Sequence, residues 1–374
     1  MGPGPPADPS HSVQGDGPRG RGPRPPAAVW AALAMVFLWA AAGLVYPPIT
    51  KYDLYDPGLG GREGDVGQYV RIYQGVPLQQ VARPFRYRVL TPRLARLVPA
   101  VPHALLRYFD VNEEKQVKYR FGIVNLVALA VSGLLMVMLC GSLGFGLGEG
   151  LLATFLYYTS FPVINSAGTP MVDAWAHAFL LLGLVAALRG SLPWLAAASL
   201  IGMFAKETTL LLVPAVLVLD APWRSKATRL LVLLPGVLAY AVFRFVLYPG
   251  GYGLPGDPAT AMSNLIWRLN HGPYLMWILF DGGTAFGLLW PLAAYGAWSL
   301  RGASRDPLVR LAWLVPGVLL VPFLIGSNIG RIWFYAFPAV IPLAVAGLRR
   351  LMNGRGDGPV PHHAAPVATS TGIF

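Results

Sequence analysis

The sequence predicts an all-α polytopic membrane protein of about ten transmembrane helices, with one large polar insert after the first span. Three observations carry this. Of 374 residues, 55% are hydrophobic and only 12% charged, well below the charged share of ordinary soluble domains. Apolar runs recur from Ala27 almost to the C-terminus. The polar stretch at 47–120 holds a lone acid, an aromatic helical face and a dense Arg/aromatic cluster, all between Gly64 and Arg93.

The net charge of +12 fits Lys/Arg anchoring at a cytoplasmic face or attraction for anionic lipid headgroups. Nucleic-acid binding is excluded, because the basic residues lie at span ends and in one loop. Cys140 is the one cysteine, so neither an internal disulfide nor a cysteine-built metal site can form.

Taken in order, residues 1–26 are Pro/Gly-rich, with Arg19, Arg21 and Arg24, and read as a disordered tail. Ala27 to Tyr46 is long enough to span. Ala40 to Ala42 would suit a signal-peptide cleavage site, but the apolar run continues to Tyr46, as an uncleaved anchor does. Later apolar runs fall near 121–140, 150–165, 172–188, 192–205, 208–220, 229–248, 273–300, 311–325 and 332–348. Together 27–350 form one membrane domain, and 351–374 is a second tail. The glycines of 144–150 join two spans with no preceding strand, so they make no nucleotide loop.

Loop charge sets the orientation. Arg19, Arg21 and Arg24 share a side with Arg189, Arg224, Lys226, Arg229, Arg301, Arg305, Arg310, Arg349 and Arg350. Both termini are therefore expected in the cytoplasm. The 47–120 insert falls outside, where long loops translocate regardless of charge. Within it, Asp65 to Tyr73 reads as a helix with Asp65 and Tyr69 on one face. Thr91-Pro92 reads as an N-cap and first turn. The helix that follows sets Leu94, Leu97 and Val98 against Arg93 and Arg96, as an interfacial helix does. A second outer loop covers 249–272, with Trp267, Arg268 and His271.

Ionisable residues gather at the outer ends of the expected spans: Asp65, Asp173, His177, Lys206, Glu207, Arg244, Asp281 and Arg331. A charge at mid-bilayer costs about 2.5–3.5 kcal/mol on insertion scales, so such residues face a wet cavity or a partner. Their agreement in depth is the informative point. Each also has a plainer reading. Asp65 competes with Asp53, Asp56 and Glu63 as a solvated loop acid. Lys206 and Glu207 suit a turn cap or a mutual ion pair, and Arg244 and Arg331 suit snorkelling anchors. Asp173 and His177 share a helical face, but two ligands make no metal site. Asp281-Gly282-Gly283 reads as a break in a span. Arg83, Arg86 and Arg88 suit lipid headgroups as well as a substrate anion.

These residues carry a resemblance. A first span followed by a large outer loop with an early GD-x-x-x-Y (Gly64 to Tyr69) resembles the GT-C fold of polyprenyl-phosphate-sugar-dependent glycosyltransferases. Protein O-mannosyltransferases and aminoarabinose transferases belong to that superfamily. PFRYRVLTPRLARLVP at 84–99 looks like the loop of its bacterial members. TPMVDAWAHAF at 169–179, GMFAKETTLLLVPAVLV at 202–218 and GRIWFYAFPAVIPLAV at 330–345 resemble their acid-headed span, "AKE" turn and closing span. Many members pair two acids in the first loop, whereas Val66 follows Asp65 here, and no soluble outer domain follows the last expected span.

The resemblance implies an inverting transfer of sugar from a polyprenyl phosphate to an acceptor hydroxyl at the outer face of the cell membrane. Asp65 is then the catalytic base. Tyr69, Arg86, Arg88, Asp173, Lys206, Glu207 and Arg331 are expected to bind substrate, the cations serving the lipid phosphate. No cofactor is required, although a divalent metal is compatible; the partners are the lipid-linked sugar, its acceptor and membrane lipids. Two other classes fit the same charges. A carrier or flippase would use them as a pathway, with discontinuous spans beside Lys206. A non-catalytic assembly partner would keep the fold without the activity, as the missing second acid allows.

Overall fold

The computed structural model describes residues 26–51, 64–101, 112–249, 262–263, 265–267, 270–325 and 329–353. Among them every regular element is helical, and there is no strand. Four helices are long and apolar enough to cross a membrane: Ala27–Tyr46, Glu113–Ser142, Trp223–Leu247 and Ile329–Met352. The chain is therefore a helical membrane protein. Asp53, Asp56, Glu63, most of the 249–272 loop and both tails lie outside the described residues.

The remaining apolar runs are shorter because local chemistry cuts them. The run at 150–165 divides into Leu147–Tyr158 and Phe161–Ala167, with Pro162 in the first turn of the second piece. The run at 273–300 breaks at Gly287, whose φ of +50° lies in the left-handed region, and not at Asp281 to Gly283 as expected. After Lys206 the chain forms a 3₁₀ turn, Glu207–Leu211, before Leu212–Val218.

We number the helices that position the site. Helix α1 is Ala27–Lys51, five residues longer than the expected span. Helix α2, Asp65–Gln74, matches the expected amphipathic helix closely, with Tyr69, Val70 and Ile72 buried. Helix α3 is Leu90–Leu97. It starts one residue before Thr91, which therefore does not cap it; the Thr91 hydroxyl is buried with no partner among the described residues. Thr91, Pro92 and Ala95 form its buried side, while Leu97 is 78% exposed. Leu94 and Val98 pack partly against the same core, so of the expected Leu94/Leu97/Val98 stripe only Leu97 turns away.

Helix α4, Glu113–Ser142, begins eight residues earlier than its apolar run, capped by the Asn112 side chain, which accepts from the Lys115 N–H at 2.9 Å. Helices α5 (Asp173–Arg189) and α6 (Leu192–Ala205) form a hairpin closed at Gly190, φ +74°. Helix α7 is Trp223–Ala241, continued by a π turn at Val242–Leu247. Helix α8 is Gly272–Phe286, α9 is Leu289–Ser299, α10 is Ile329–Trp333, and α11 is Phe337–Met352.

The two ends of the bundle differ. At one end Arg189 bonds the Ser142 hydroxyl at 3.0 Å and Arg349 meets Glu149 at 3.2 Å. Glu149 also accepts from the Gly146 N–H, so the glycine-rich 144–150 segment is a capped helix start. The other end carries the starts of α2 and α5, the end of α6 and the α10–α11 junction.

Helices α9 and α11 pack backbone to backbone. A Cβ on Gly347 would meet the Leu292 carbonyl oxygen at 2.3 Å, and one on Gly296 the Leu343 carbonyl oxygen at 2.0 Å. Small residues of this kind let membrane helices approach closely. Gly347→Ala should therefore lower stability by about 1–3 kcal/mol. Gly317→Ala, with open space around it, should be neutral or slightly stabilising. Thermal unfolding in detergent compares the two.

Candidate functional site

Residues from four distant parts of the chain meet at the second end of the bundle. The α5–α6 hairpin sets Asp173, first residue of α5, beside Lys206, which follows the last residue of α6. The Lys206 Nζ donates to Asp173 Oδ1 at 2.6 Å. Arg331, on α10, reaches the other oxygen: its Nη2 donates to Asp173 Oδ2 at 2.5 Å. Its Nη1 donates to Asp65 Oδ2 at 2.5 Å, tying the first residue of α2 to the bundle. The Tyr335 hydroxyl donates to Asp173 Oδ1 at 2.9 Å, and the Lys206 ammonium lies 4.8 Å from the Tyr335 ring centre. Asp65 and Asp173 each open a helix, where the N-terminal dipole favours a carboxylate.

The network continues through the backbone from Lys206 to Glu207. The Glu207 carboxylate is gripped by both Arg88 Nε, at 2.9 Å, and Arg88 Nη2, in the two-pronged geometry guanidinium favours. Arg88 Nη1 donates to the Tyr69 hydroxyl at 2.9 Å, inside the protein. Tyr69 is one turn from Asp65 on α2, so the set closes on itself. Three cations (Arg331, Lys206, Arg88) face three carboxylates (Asp65, Asp173, Glu207).

Accessibility divides the ring unevenly. The side chains of Asp65 and Glu207 are 29% and 26% exposed, whereas Asp173, Lys206, Arg331 and Arg88 are at 9% or below. The two outer carboxylates are thus its openings. Burial raises the Tyr69 pKa above its ordinary value, with the Arg88 guanidinium only partly opposing this, so Tyr69 stays a neutral phenol. For Arg88, burial works against the charge, but Glu207 and Tyr69 outweigh it and hold its pKa above the ordinary value. One donor is left over: Arg331 Nε is buried with no partner among the described residues.

Of the residues expected at the site, Asp65, Tyr69, Arg88, Asp173, Lys206, Glu207 and Arg331 all enter this network. Arg86 does not. Its Nε donates to the Val81 carbonyl at 2.9 Å and its Nη2 to the Gln79 carbonyl at 3.4 Å, so it braces the loop instead of facing the acids. Arg244 also stands apart, 5.1 Å from the Tyr87 ring centre. Lys206 and Glu207 do not form the mutual ion pair that is one of their plainer readings. The extended backbone at Lys206 sends it to Asp173, while Glu207 meets Arg88. His177 lies one turn below Asp173, bonded to the Tyr157 hydroxyl at 3.1 Å and ringed by Phe334, Tyr335 and Phe337.

Three further residues hold the site, and of these only Asp281 carries a sequence signal, as one of the ionisable residues. Tyr335 is one aromatic among several in its segment. Asp281 accepts the Gly330 N–H at 2.7 Å, fixing the chain just before Arg331. Asn125 donates to the Ala167 and Thr169 carbonyls at 3.3 and 3.0 Å, pinning the turn that leads to Asp173. An apolar crevice lined by Leu180, Leu184, Leu211, Leu311 and Val315 shares Tyr335 with the cluster, placing a greasy surface beside the charges. Among the described residues, no three His, Cys, Asp or Glu side chains gather as a metal site.

Comparison of the chain with family models, curated proteins and solved structures finds no match.

Asp173→Ala leaves Arg331 and Lys206 buried beside a lost counter-charge, which should cost about 3–5 kcal/mol. Arg86→Ala, removing one part-buried and one exposed loop bond, should cost about 1 kcal/mol. Denaturation of the two variants in detergent micelles tests the difference; similar losses would mean that the network is not under tension from burial.

Proposed function

We propose that the chain is a GT-C-type membrane glycosyltransferase, moving a sugar from a polyprenyl-phosphate donor to an acceptor hydroxyl at the extracytoplasmic membrane face. The observation that carries this reading is the meeting of Asp65, Asp173, Lys206 and Arg331 in one network that also contains Arg88 and Glu207. In the proposed topology the shorter helices pair up to complete about ten spans. The tails and the Arg189/Arg349 end then face the cytoplasm, in keeping with the positive-inside pattern.

Asp65, the most exposed acid of the ring, takes the proton of the acceptor hydroxyl. The acceptor oxygen forms its bond to the anomeric carbon from the face opposite the phosphate, and the bond from that carbon to the phosphate oxygen breaks. The configuration inverts, and polyprenyl phosphate leaves with the bonding electrons. The departing oxygen gains negative charge, so it needs cations and no added proton. Arg331, with its spare Nε donor, Lys206 and Arg88 supply them. The apolar crevice beside Tyr335 offers the prenyl chain a dry surface. Asp173 holds Arg331 and Lys206 in register.

One observation favours a second reading, a non-catalytic assembly partner of the same fold: each of the three cations already has a carboxylate. Asp65→Asn distinguishes the two. Because Asp65 is partly exposed and Arg331 keeps Asp173, the variant should fold and insert normally. Sugar transfer from a labelled polyprenyl-phosphate donor in membrane vesicles should fall by about 10²–10⁴-fold, the usual range for a lost general base. Unchanged transfer would remove Asp65 from the mechanism. Loss of a partner complex with no transfer activity in either form would favour the second reading.

A further inference from the structure

The far end of the bundle holds a charge that the network does not use. Arg229, in the second turn of α7, is only 7% exposed, yet its guanidinium makes no hydrogen bond or ion pair among the described residues. It lies on the buried side of α7 with Leu233, Gly236 and Tyr240. That side is pressed against α6: the Ser199 hydroxyl donates to the Leu233 carbonyl at 2.9 Å, and a Cβ on Gly236 would meet Ser199 Oγ at 2.3 Å. Arg229 is one turn from Leu233 on the side away from Lys206. By helical rise it therefore lies about 15 Å from the level of Lys206, too far to belong to the same site.

Its surroundings are cationic. Lys226, one turn away on the same side of α7, donates to the Leu217 carbonyl at 2.7 Å. Arg310 donates to the Val218 carbonyl at 3.5 Å and meets Asp220 at 3.6 Å. Asp220 is thus the acid seen pairing with these cations, and it is engaged by Arg310. None of the Arg229 nitrogens is among the sealed, unpartnered atoms, so the guanidinium has an opening. A membrane protein that buries an arginine normally gives it a partner or a wet cavity, and an anion can serve as that partner. Along the outer side of α7 run Leu231, Leu234 and Leu238, 66%, 44% and 54% exposed, with Trp223 at the helix start 69% exposed. Apolar side chains beside an unmatched cation are the surroundings of a lipid.

We propose that Arg229, with Lys226 beside it, binds the phosphate of an anionic phospholipid at the Trp223 end of α7. The headgroup sits against Arg229 and Lys226 at the start of α7, and the acyl chains lie along Leu231 to Leu238. Basic pockets between membrane helices recognise headgroups in this way. The site is independent of the sugar-transfer reading, and it is tested without any activity measurement.

The full-length protein in a neutral detergent is titrated with phosphatidylglycerol, phosphatidylcholine or inorganic phosphate, and its Tm is followed. Phosphatidylglycerol should raise Tm by several degrees, and the other two should have little effect. Arg229→Leu should have a higher Tm than the wild type in lipid-free detergent, because a buried unpaired charge is gone, and should lose the phosphatidylglycerol response. Arg224→Gln, at an exposed position on the first turn of the same helix, should keep it. Equal effects of phosphatidylcholine, or of inorganic phosphate alone, in the wild-type protein would overturn the lipid assignment whether or not the variant folds. A phosphatidylglycerol response that survives in Arg229→Leu would overturn the role of Arg229.

Discussion

The Asp173 carboxylate is the constraint on which the rest depends. It is almost wholly buried and takes hydrogen bonds from Lys206, Arg331 and Tyr335. An ion pair at that depth survives only when its partners are held in place, because desolvation removes most of what the attraction returns. The geometry of the bundle meets that requirement. The α5–α6 hairpin returns Lys206 to the level of Asp173. Asp281 holds the backbone in front of Arg331, and Asn125 holds the turn in front of Asp173. Each support comes from a different helix, so a shift in any one disturbs the same carboxylate.

Two links tie the first polar loop to this core. Arg331 reaches Asp65 across 266 positions of sequence, and Arg88 reaches Glu207 across 119. Both links end on the partly exposed carboxylates, so the loop is attached where the network meets solvent. Tyr69, kept neutral by burial, adds a polar contact beside Arg88 without adding charge. The bundle is chemically polar along its length: acids and bases balance at this end, while cations outnumber acids around Arg229, Lys226 and Arg310 at the other.

Much of this was legible in the sequence. Low charge and recurrent apolar runs specify helices in a membrane, because a spanning backbone must satisfy its own hydrogen bonds. The helix at Asp65–Gln74 follows from spacing, with its aromatic side turned inward. The common depth of Asp173, His177, Lys206, Glu207, Arg244, Asp281 and Arg331 marked charges that need partners, with Asp65 as the acid of the polar insert, although Arg244 stays outside the network. Helix interruptions were less legible: a proline or glycine permits a break, but whether the chain breaks at Gly287 or at Gly282-Gly283 depends on neighbours. Gly282 stays helical, with Trp333 packed where a side chain would stand.

Composition and periodicity by themselves thus determined a helical membrane chain, a polar first loop and the set of ionisable residues that must find company. The tertiary structure decided the pairing. Arg88 and Arg86 are two residues apart and alike in type, yet one enters the buried ring and the other braces its own loop. Lys206 and Glu207 are adjacent, yet they turn to different partners. Which of two equivalent charges is matched depends on distances between segments far apart in sequence, and those distances exist only once the helices have packed.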